Sequence, residues 1–308
     1  MDKPFIAREI IRNNLNNKKN IRMEKVIPFI FLLAALISII TSIGIVSTLI
    51  HDAYYFFKEI PLREIFSTHL APLGSNPAFG FLPLITGTII TSLIAMIVAI
   101  PVGLTAAMYL SEFASENKRR ILKPIMEVLA GIPTIVYGFF AYSFVTPLLM
   151  KIIPGLGAKN ALSPGIVMGI MIIPLITSLS EDAMSSVPNA LREGALALGS
   201  TKLETTLKVV VPAAISGIIA SFILGISRAV GETMIVAIAS GSSKTFTLDI
   251  TKSMQTMTAY IVEFTSGDAG SGTIGYYSLY AVGLLLFIFT LSMNLLAQYI
   301  SRKYREVY

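Results

Sequence analysis

Long uninterrupted runs of apolar residues alternate with short polar stretches along most of this chain. Each run is long enough, at about 1.5 Å per residue, to cross roughly 30 Å of hydrocarbon as one helix. The pattern therefore predicts an all-α integral membrane protein, with a transmembrane domain at 26–300 between a basic tail at 1–25 and a short tail at 301–308. Six membrane-spanning helices are predicted, at 26–50, 81–110, 124–150, 162–180, 209–240 and 276–300.

Lysine and arginine residues are distributed unequally between the connections on the two sides of these helices. The two tails and the loops 111–123 and 181–208 hold 17 of them, whereas the three connections on the other side hold 6. Because cytoplasmic segments carry the excess of Lys and Arg, both termini and these two loops are predicted to be cytoplasmic. The first apolar run is about twice the length of a signal-peptide core, which predicts a retained helix.

Composition agrees with a membrane protein and removes several other classes of function. The chain is 54% hydrophobic and 14% charged, and it has no cysteine. The net charge is +6, and the Lys and Arg residues lie at the ends of apolar runs, which suits anionic lipid headgroups. No nucleic-acid partner is therefore expected.

His51 and His69 lack the spacing of a metal site, so no metal is expected. The glycines of 241–275 lack Walker spacing, so no cofactor is expected and any ATP is handled by a partner.

The cytoplasmic loop 181–208 has the local signals of two short helices separated by a tight break. Ser186 is predicted to cap the start of the first helix, and Gly199 is predicted to end it. Thr201 and Glu204 have the spacing of a capping box, which predicts the start of the second helix.

The first of these helices is more apolar than a short helix in water requires. One face carries Val187, Leu191, Ala195 and Leu198, and Leu196 lies nearly opposite. Apolar side chains outside a single stripe need a cover. The residue pattern leaves open whether that cover is the lipid interface or a groove on another protein.

The same loop contains a spaced motif. Glu193-x-Ala195-x-x-x-Gly199, followed after nine residues by Val209-x-Val211-Pro212, resembles the EAA signature of permeases in binding-protein-dependent ABC importers. This resemblance implies a type I importer permease fold and a loop that inserts into a cleft of a separate ATPase. The coupling residues that it implies are Leu191, Glu193, Ala195, Leu198 and Gly199. The signature has alanine where this chain has Gly194, which costs about 1 kcal/mol of helix propensity.

Charged residues inside the fifth predicted span are the second candidate site. Arg228 and Glu232 are four residues apart and are expected to share a helix face. Because an arginine inside a membrane is costly, it usually faces a bundle interior or a pathway. The pair is either a buried ion pair that orders the bundle or an anion site, since a guanidinium matches two oxygens of an oxyanion.

Three further segments resemble phosphate-specific ABC permeases, and among these the C-type subunit. They are Gly80–Thr88, Glu127–Gly138 and Arg228–Met234. The resemblance implies a phosphate pathway that includes Ser227, Arg228, Glu232 and Thr233. It also implies a homologous A-type permease, an ATP-binding subunit dimer and an extracytoplasmic phosphate-binding protein as partners, in the lipid of a prokaryotic plasma membrane. A permease of this kind performs no catalysis itself.

Other interpretations of the residues remain open. The cargo is phosphate or another oxyanion such as molybdate or sulfate. A transporter or channel that works without ATP, and a membrane scaffold or sensor, are alternatives of other classes. Prolines inside spans, including Pro101, Pro133 and Pro174, either make packed kinks or open a path, and Gly165-x-x-x-Gly169 either joins two helices closely or occurs by chance.

Overall fold

A computed structural model describes residues 18–73, 76–268, 270 and 272–303, with the backbone alone for 18–25 and 268. Most of the predicted tail at 1–25, and residues 304–308 of the predicted tail at 301–308, lie outside the described residues. Close contacts divide the chain into two units, Met1–His51 and Asp52–Tyr308. The first unit is helical from Lys18 onwards, and its side chains from 26 to 50 are exposed or half-buried.

The helices are numbered in chain order. The first nine are α1 (Lys18–Glu59), α2 (Leu62–Ile65), α3 (Leu82–Met108), α4 (Glu116–Gly131), α5 (Thr134–Phe140), α6 (Thr146–Met150), α7 (Leu162–Ser185), α8 (Asn189–Ala197) and α9 (Lys202–Thr205). The next five are α10 (Val211–Ala213), α11 (Ile215–Val230), α12 (Met234–Ala239), α13 (Met257–Glu263) and α14 (Ile274–Lys303). Wider π-helical turns follow α3, α5, α9 and α13, at Tyr109–Phe113, Ala141–Val145, Thr206–Val210 and Phe264–Asp268.

A two-stranded antiparallel hairpin lies in the segment between α2 and α3, in an otherwise helical unit. Strand β1 (Leu70–Ala71) pairs with β2 (Ala78–Phe79), with Leu70 opposite Phe79. Phe79 packs with Phe56, Phe81 and Tyr260 in an apolar cluster at this end of the unit. Aromatic packing therefore anchors the long connection that the sequence predicts to be external.

The six predicted spans correspond to four single helices and two bent pairs. Among the described residues, the single helices long and apolar enough to cross a membrane are Val26–Glu59, Leu82–Phe113, Leu162–Ser185 and Ile274–Lys303. Glu116–Gly131 with Thr134–Met150 bends by 86°, and Lys202–Ala213 with Ile215–Val230 bends by 73°. The third and fifth spans, predicted as continuous helices at 124–150 and 209–240, are therefore broken in the structure.

Pro133 explains the first bend. A proline disfavours helical backbone at the residue before it, and Ile132 is extended, with φ −65° and ψ 128°. The hydroxyl of Tyr137 in α5 donates to the carbonyl oxygen of Leu129 in α4 at 2.8 Å and so bridges the break. Pro101 and Pro174, in contrast, lie inside the continuous helices α3 and α7.

Helices α3 and α7 approach each other closely through glycine. A Cβ atom on Gly165 would lie 2.7 Å from Ile94, and one on Gly169 would lie 2.7 Å from the carbonyl oxygen of Ala95. A Cβ atom on Gly103 would lie 2.8 Å from Ile176. The Gly165-x-x-x-Gly169 pair is thus a close helix contact. Residue numbers rise together along both helices, so α3 and α7 run parallel, as the second and fourth of alternating spans must.

Polar contacts also link the spans in the centre of the unit. The hydroxyls of Ser180 in α7 and Ser221 in α11 are 2.8 Å apart and buried, and Thr177 donates to the carbonyl oxygen of Gly103 at 3.1 Å. Around them lies an apolar core that includes Ala95, Met168, Ile172 and Ile235, among other residues. Small residues and hydroxyl groups therefore hold α3, α7 and α11 together, as is usual for helices in lipid.

The close contact predicts a strong effect of one methyl group. Gly169→Ala places its Cβ against a backbone oxygen, so the helices must separate, and we expect a loss of about 1–3 kcal/mol in the free energy of unfolding. Gly44→Ala is the matched control, because nothing lies within 4 Å of a Cβ at that position. Thermal unfolding of the purified protein in detergent measures both variants, and equal stabilities would contradict the contact.

Candidate functional site

The loop 181–208 contains the predicted break between two short helices. Gly199, with φ +88°, ends α8, where its amide donates to the Leu196 carbonyl at 3.0 Å and the Ser200 amide donates to the Ala195 carbonyl at 3.2 Å. These two bonds form a Schellman motif, which satisfies the free carbonyls of the helix end.

The capping box at the start of α9 is confirmed. The Thr201 amide donates to Glu204 Oε2 at 3.0 Å, and the Glu204 amide donates to Thr201 Oγ1 at 3.3 Å.

The prediction that Ser186 caps the first helix is wrong. Helix α7 extends to Ser185, the Ser186 hydroxyl donates to the Ala183 carbonyl, and α8 begins at Asn189, directly after Pro188. The proline favours extended backbone before it and a fixed φ at the start of the next helix, so the boundary follows Pro188.

Val187 does not lie on one helix face with Leu191 and Leu198 as predicted, because it precedes the first residue of α8 and is buried. It is 4% exposed and packs with Ala107, Met184, Val210 and Ile218, a group that we call the Val187 cluster. Val187 therefore packs the start of the loop against the rest of this chain.

The remaining apolar residues of the loop form an exposed surface. Leu198 is 90% exposed. The surface, which we call the coupling surface, consists of the exposed side chains of Leu191, Leu196, Leu198, Leu203 and Leu207. Of the other predicted coupling residues, Glu193 is exposed and Ala195 is half-buried beside them on α8. Five exposed leucines within 17 residues, 191–207, are more apolar surface than a segment in water normally leaves uncovered.

Arg228 lies in the last turn of α11 and lines a cavity of about 470 Å³. Helix α4 contributes Lys123 and Glu127 to the wall of this cavity, and α7 contributes Glu181 and Asp182. The cavity is much larger than a tetrahedral oxyanion. Its wall carries both signs of charge, and the Arg228 guanidinium makes no hydrogen bond or ion pair with the described residues.

Glu232 does not share a helix face with Arg228, so that prediction is wrong. Helix α11 ends at Val230, and Glu232 lies in the break before α12, where it is 6% exposed. Its carboxylate Oε1 accepts from the amides of Met234 at 3.1 Å and Ile235 at 3.4 Å. The spacing of four residues holds only within a continuous helix, and here the carboxylate caps the start of the next one.

Ser227 and Thr233 flank the same break. Ser227 is half-buried, and its carbonyl accepts from the Gly231 amide at 3.2 Å, while the Thr233 hydroxyl donates to the Gly231 carbonyl at 3.3 Å. Of the four predicted pathway residues, Arg228 alone is in the described lining of the cavity. The other three shape the backbone next to it.

Several residues in the segments that resemble phosphate-specific permeases have structural contacts. A Cβ on Gly80 or Gly87 would lie 2.4 Å from the carbonyl oxygen of Ser67 or Gln255, respectively. A Cβ on Gly138 would lie 2.8 Å from Ile238. These glycines therefore permit close packing, which is a different role from binding cargo.

Two groups of ion pairs were not predicted from the sequence. Glu181 is fully buried and pairs with Arg119 and with Lys123, whose Nζ is 2.7 Å from Oε2. Arg192 in α8 pairs with Glu112 at 2.9 Å. The available signal was an acidic residue directly after each of two apolar runs, but partners 62 and 80 residues apart in the sequence cannot be paired from spacing alone.

Comparisons with known proteins add the family context. The sequence profile of the family described as binding-protein-dependent transport system inner membrane component matches residues 99–306. A phosphate transport system permease protein PstC from Xylella fastidiosa is 36% identical over 76% of this chain and 76% of its own. A probable phosphate transport system permease protein PstC from Methanocaldococcus jannaschii is 31% identical over 82% and 87%, respectively. A probable ABC transporter permease protein YqgH from Bacillus subtilis is 32% identical over 79% and 78%.

Solved structures share the fold at low sequence identity. A chain of a bacterial ABC transporter involved in importing the acidic polysaccharide alginate has a TM-score of 0.63 at 16% identity, over 92% of this chain and 99% of that one. A chain of the MetNI methionine ABC transporter has a TM-score of 0.54 at 16% identity, over 74% and 95%. The chain therefore has the type I fold of ABC importer permeases, and the predicted fold class is confirmed.

Alanine substitutions at Gly194 in α8 and at Gly199 after its end are predicted to have opposite effects on the stability of the helix. Nothing lies within 4 Å of a Cβ on Gly194 or Gly199, so neither substitution causes a clash. Gly199→Ala forces an alanine to φ +88°, at a cost of about 1–2 kcal/mol. Gly194→Ala, with the same added methyl group, gains about 1 kcal/mol of helix propensity. Hydrogen exchange of the amides in 189–204 should accelerate in the first variant and slow in the second; the same direction in both would contradict this loop geometry.

Proposed function

The chain belongs to the family of binding-protein-dependent transport system inner membrane components, and on that premise we propose that it is the permease subunit of an ATP-driven phosphate importer. Relatives named as phosphate transport system permeases, at 31–36% identity over most of both chains, support phosphate as the cargo. In this proposal the chain forms the translocation path and catalyses no covalent step. ATP hydrolysis belongs to a separate subunit.

The coupling surface is the observation that carries the proposal. It lies in the segment with the EAA-like spacing and presents its leucines away from the rest of the chain. A groove on an ATP-binding subunit would remove these side chains from water, at a gain of roughly 1.5–3 kcal/mol for each leucine fully buried. The Schellman motif and the capping box support this role, because they hold the surface in one shape before binding.

We infer the remaining subunits of the transporter from the resemblance to phosphate-specific permeases. An ATP-binding subunit dimer lies on the cytoplasmic side, a homologous A-type permease lies beside this chain, and a phosphate-binding protein docks on the outer side. The complex lies in the plasma membrane of a prokaryote, with both termini of this chain in the cytoplasm. Closure of the ATP-binding dimer moves the loops 181–208 together and turns the helices towards the outward-open state, and hydrolysis resets them.

Arg228 is the proposed phosphate contact. Its planar guanidinium can donate two parallel hydrogen bonds to two phosphate oxygens, and the cavity beside it has room for the ion. We propose that Ser227, Glu232 and Thr233 belong to the same pathway by holding the break after α11 in shape. The protonated form of phosphate can also donate to a carboxylate of the cavity wall, a bond that fully ionised sulfate cannot make.

Leu198→Asp tests the coupling surface. A carboxylate at a position that is 90% exposed does not disturb the free permease, but it prevents burial in an apolar groove. We expect at least about a 10-fold loss in affinity for the ATP-binding subunit, measured by co-purification of the full complex.

Leu248→Asp is the matched control, because Leu248 is 69% exposed and lies in the segment 241–275 on the predicted outer side. It should retain the ATP-binding subunit as the unchanged chain does. Normal retention by Leu198→Asp would exclude the coupling surface as the docking site.

Arg228→Gln tests the cargo pathway. Because the substitution removes the charge and the paired donors, uptake of radiolabelled phosphate by membranes with all partner subunits should fall by about 10-fold or more. Arg228→Lys keeps the charge without the planar fork and should give an intermediate rate.

Retention of the ATP-binding subunit by both Arg228 variants is the control for assembly. Competition with unlabelled sulfate and molybdate separates phosphate from other oxyanions, since a phosphate importer should lose little labelled uptake to either. Unaltered uptake in Arg228→Gln would remove Arg228 from the pathway.

A further inference from the structure

One guanidinium joins α8 to the ends of two membrane-spanning helices. Arg192 donates from Nη2 to Glu112 Oε1 at 2.9 Å and from Nε to both oxygens of that carboxylate at 3.2 and 3.3 Å. Its Nη2 also donates to the carbonyl of Met184 at 2.8 Å, and its Nη1 donates to the carbonyl of Val187 and to Asn189 Oδ1.

These partners lie on separate elements. Glu112 is in the π-helical turn Tyr109–Phe113 that continues α3, and Met184 is in the last turn of α7. The positive guanidinium also lies at the carbonyl end of α7, where the helix dipole favours a cation. A rigid planar group with bonds in several directions fixes both the distance and the angle of α8 to these two helices.

Few other contacts hold α8 in place. None of its side chains is buried, and the leucines of the coupling surface are exposed. The chain enters α8 through the buried Val187 and leaves it at Gly199. The side chains of Arg192 and Glu112 are only 15% and 8% exposed, so the ion pair is sheltered from water and salt, unlike a surface pair.

Two of the partners of Arg192, Glu112 and Met184, each lie two residues from the wall of the cavity that Arg228 lines. Leu110 in the wall precedes Glu112, and Asp182 in the wall precedes Met184. A displacement of α8 that passes through the guanidinium therefore reaches two walls of the cavity within one helical turn.

We propose that Arg192 is a positioning residue that transmits the displacement of the coupling surface to α3 and α7, and through them to the cavity. The proposal rests on the function proposed above, in which the loop 181–208 docks on an ATP-binding subunit. Without the guanidinium, α8 still presents its leucines, but its movement is absorbed in the short connections at 186–188 and 198–201. Docking and ATP hydrolysis are then retained while transport is lost.

The test measures phosphate imported per ATP hydrolysed, in liposomes that contain this chain with all its partner subunits. For Arg192→Gln we expect normal retention of the ATP-binding subunit, continued ATP hydrolysis and at least about a 10-fold fall in the transport ratio. Glu112→Gln should lower the ratio as well, and the double variant should be no worse than Arg192→Gln, because the two residues act as one unit. Lys208→Gln is the matched control, since Lys208 pairs with Glu204 at 3.5 Å in the same loop but is 74% exposed.

The outcomes separate this inference from the function on which it rests. An unchanged transport ratio in Arg192→Gln, or release of the ATP-binding subunit by that variant, would overturn the positioning role. If Arg192→Gln does not fold, Arg192→Lys must give the lowered ratio, because it keeps the charge and loses the fork; a normal ratio there would also overturn it. A complex of the unchanged chain that neither retains the subunit nor transports phosphate would instead refute the proposed function.

Discussion

The backbone contact between α3 and α7 sets the positions of both candidate sites. At Gly165 and Gly169 there is no room for a Cβ atom, so the two helices are held at one separation and in one register. Because they run parallel, their ends lie side by side, with Glu112 after α3 and Met184 at the end of α7. That arrangement lets a single arginine of α8 reach both. It also places Leu110, in the π-helical turn after α3, and the second half of α7 in the wall of the cavity at Arg228.

Broken helices create a second constraint, because backbone amides and carbonyls left free inside a membrane need partners. At the break between α11 and α12, the Glu232 carboxylate accepts from the amides of Met234 and Ile235, and the Thr258 hydroxyl donates to the Glu232 carbonyl at 2.7 Å. At Pro133 the Tyr137 hydroxyl serves the same purpose for Leu129. At these two breaks, a polar residue inside an apolar run is thus explained by hydrogen bonds to the backbone.

Local rules predicted local structure well. The Gly199 helix end and the Thr201–Glu204 capping box depend on residues a few positions apart, and both are present. The positions of the apolar runs can be read directly from the order of residues in the sequence. Features that depend on distant contacts were not accessible: the Arg192–Glu112 pair joins residues 80 positions apart. The predicted position of Glu232 is wrong because the four-residue spacing from Arg228 implies a continuous helix. The helix instead ends at Val230, and Gly231 is its C-cap.

In the proposed importer, the charge balance of the cavity at Arg228 suits the passage of an anion better than its tight binding. A conducting site must bind its ion well enough to admit it and weakly enough to release it. Arg228 and Lys123 attract an anion, but Lys123 is already bound to Glu181, and Glu127 and Asp182 stand in the same wall. An oxyanion in this cavity therefore meets Arg228, which makes no ion pair with the described residues. It also meets carboxylates that repel its charge, although a protonated oxygen of the ion can donate a hydrogen bond to one of them. In the proposed importer, tight capture of phosphate belongs to the binding protein, and this wall gives the ion a weak intermediate site whose shape changes when α3 and α7 move.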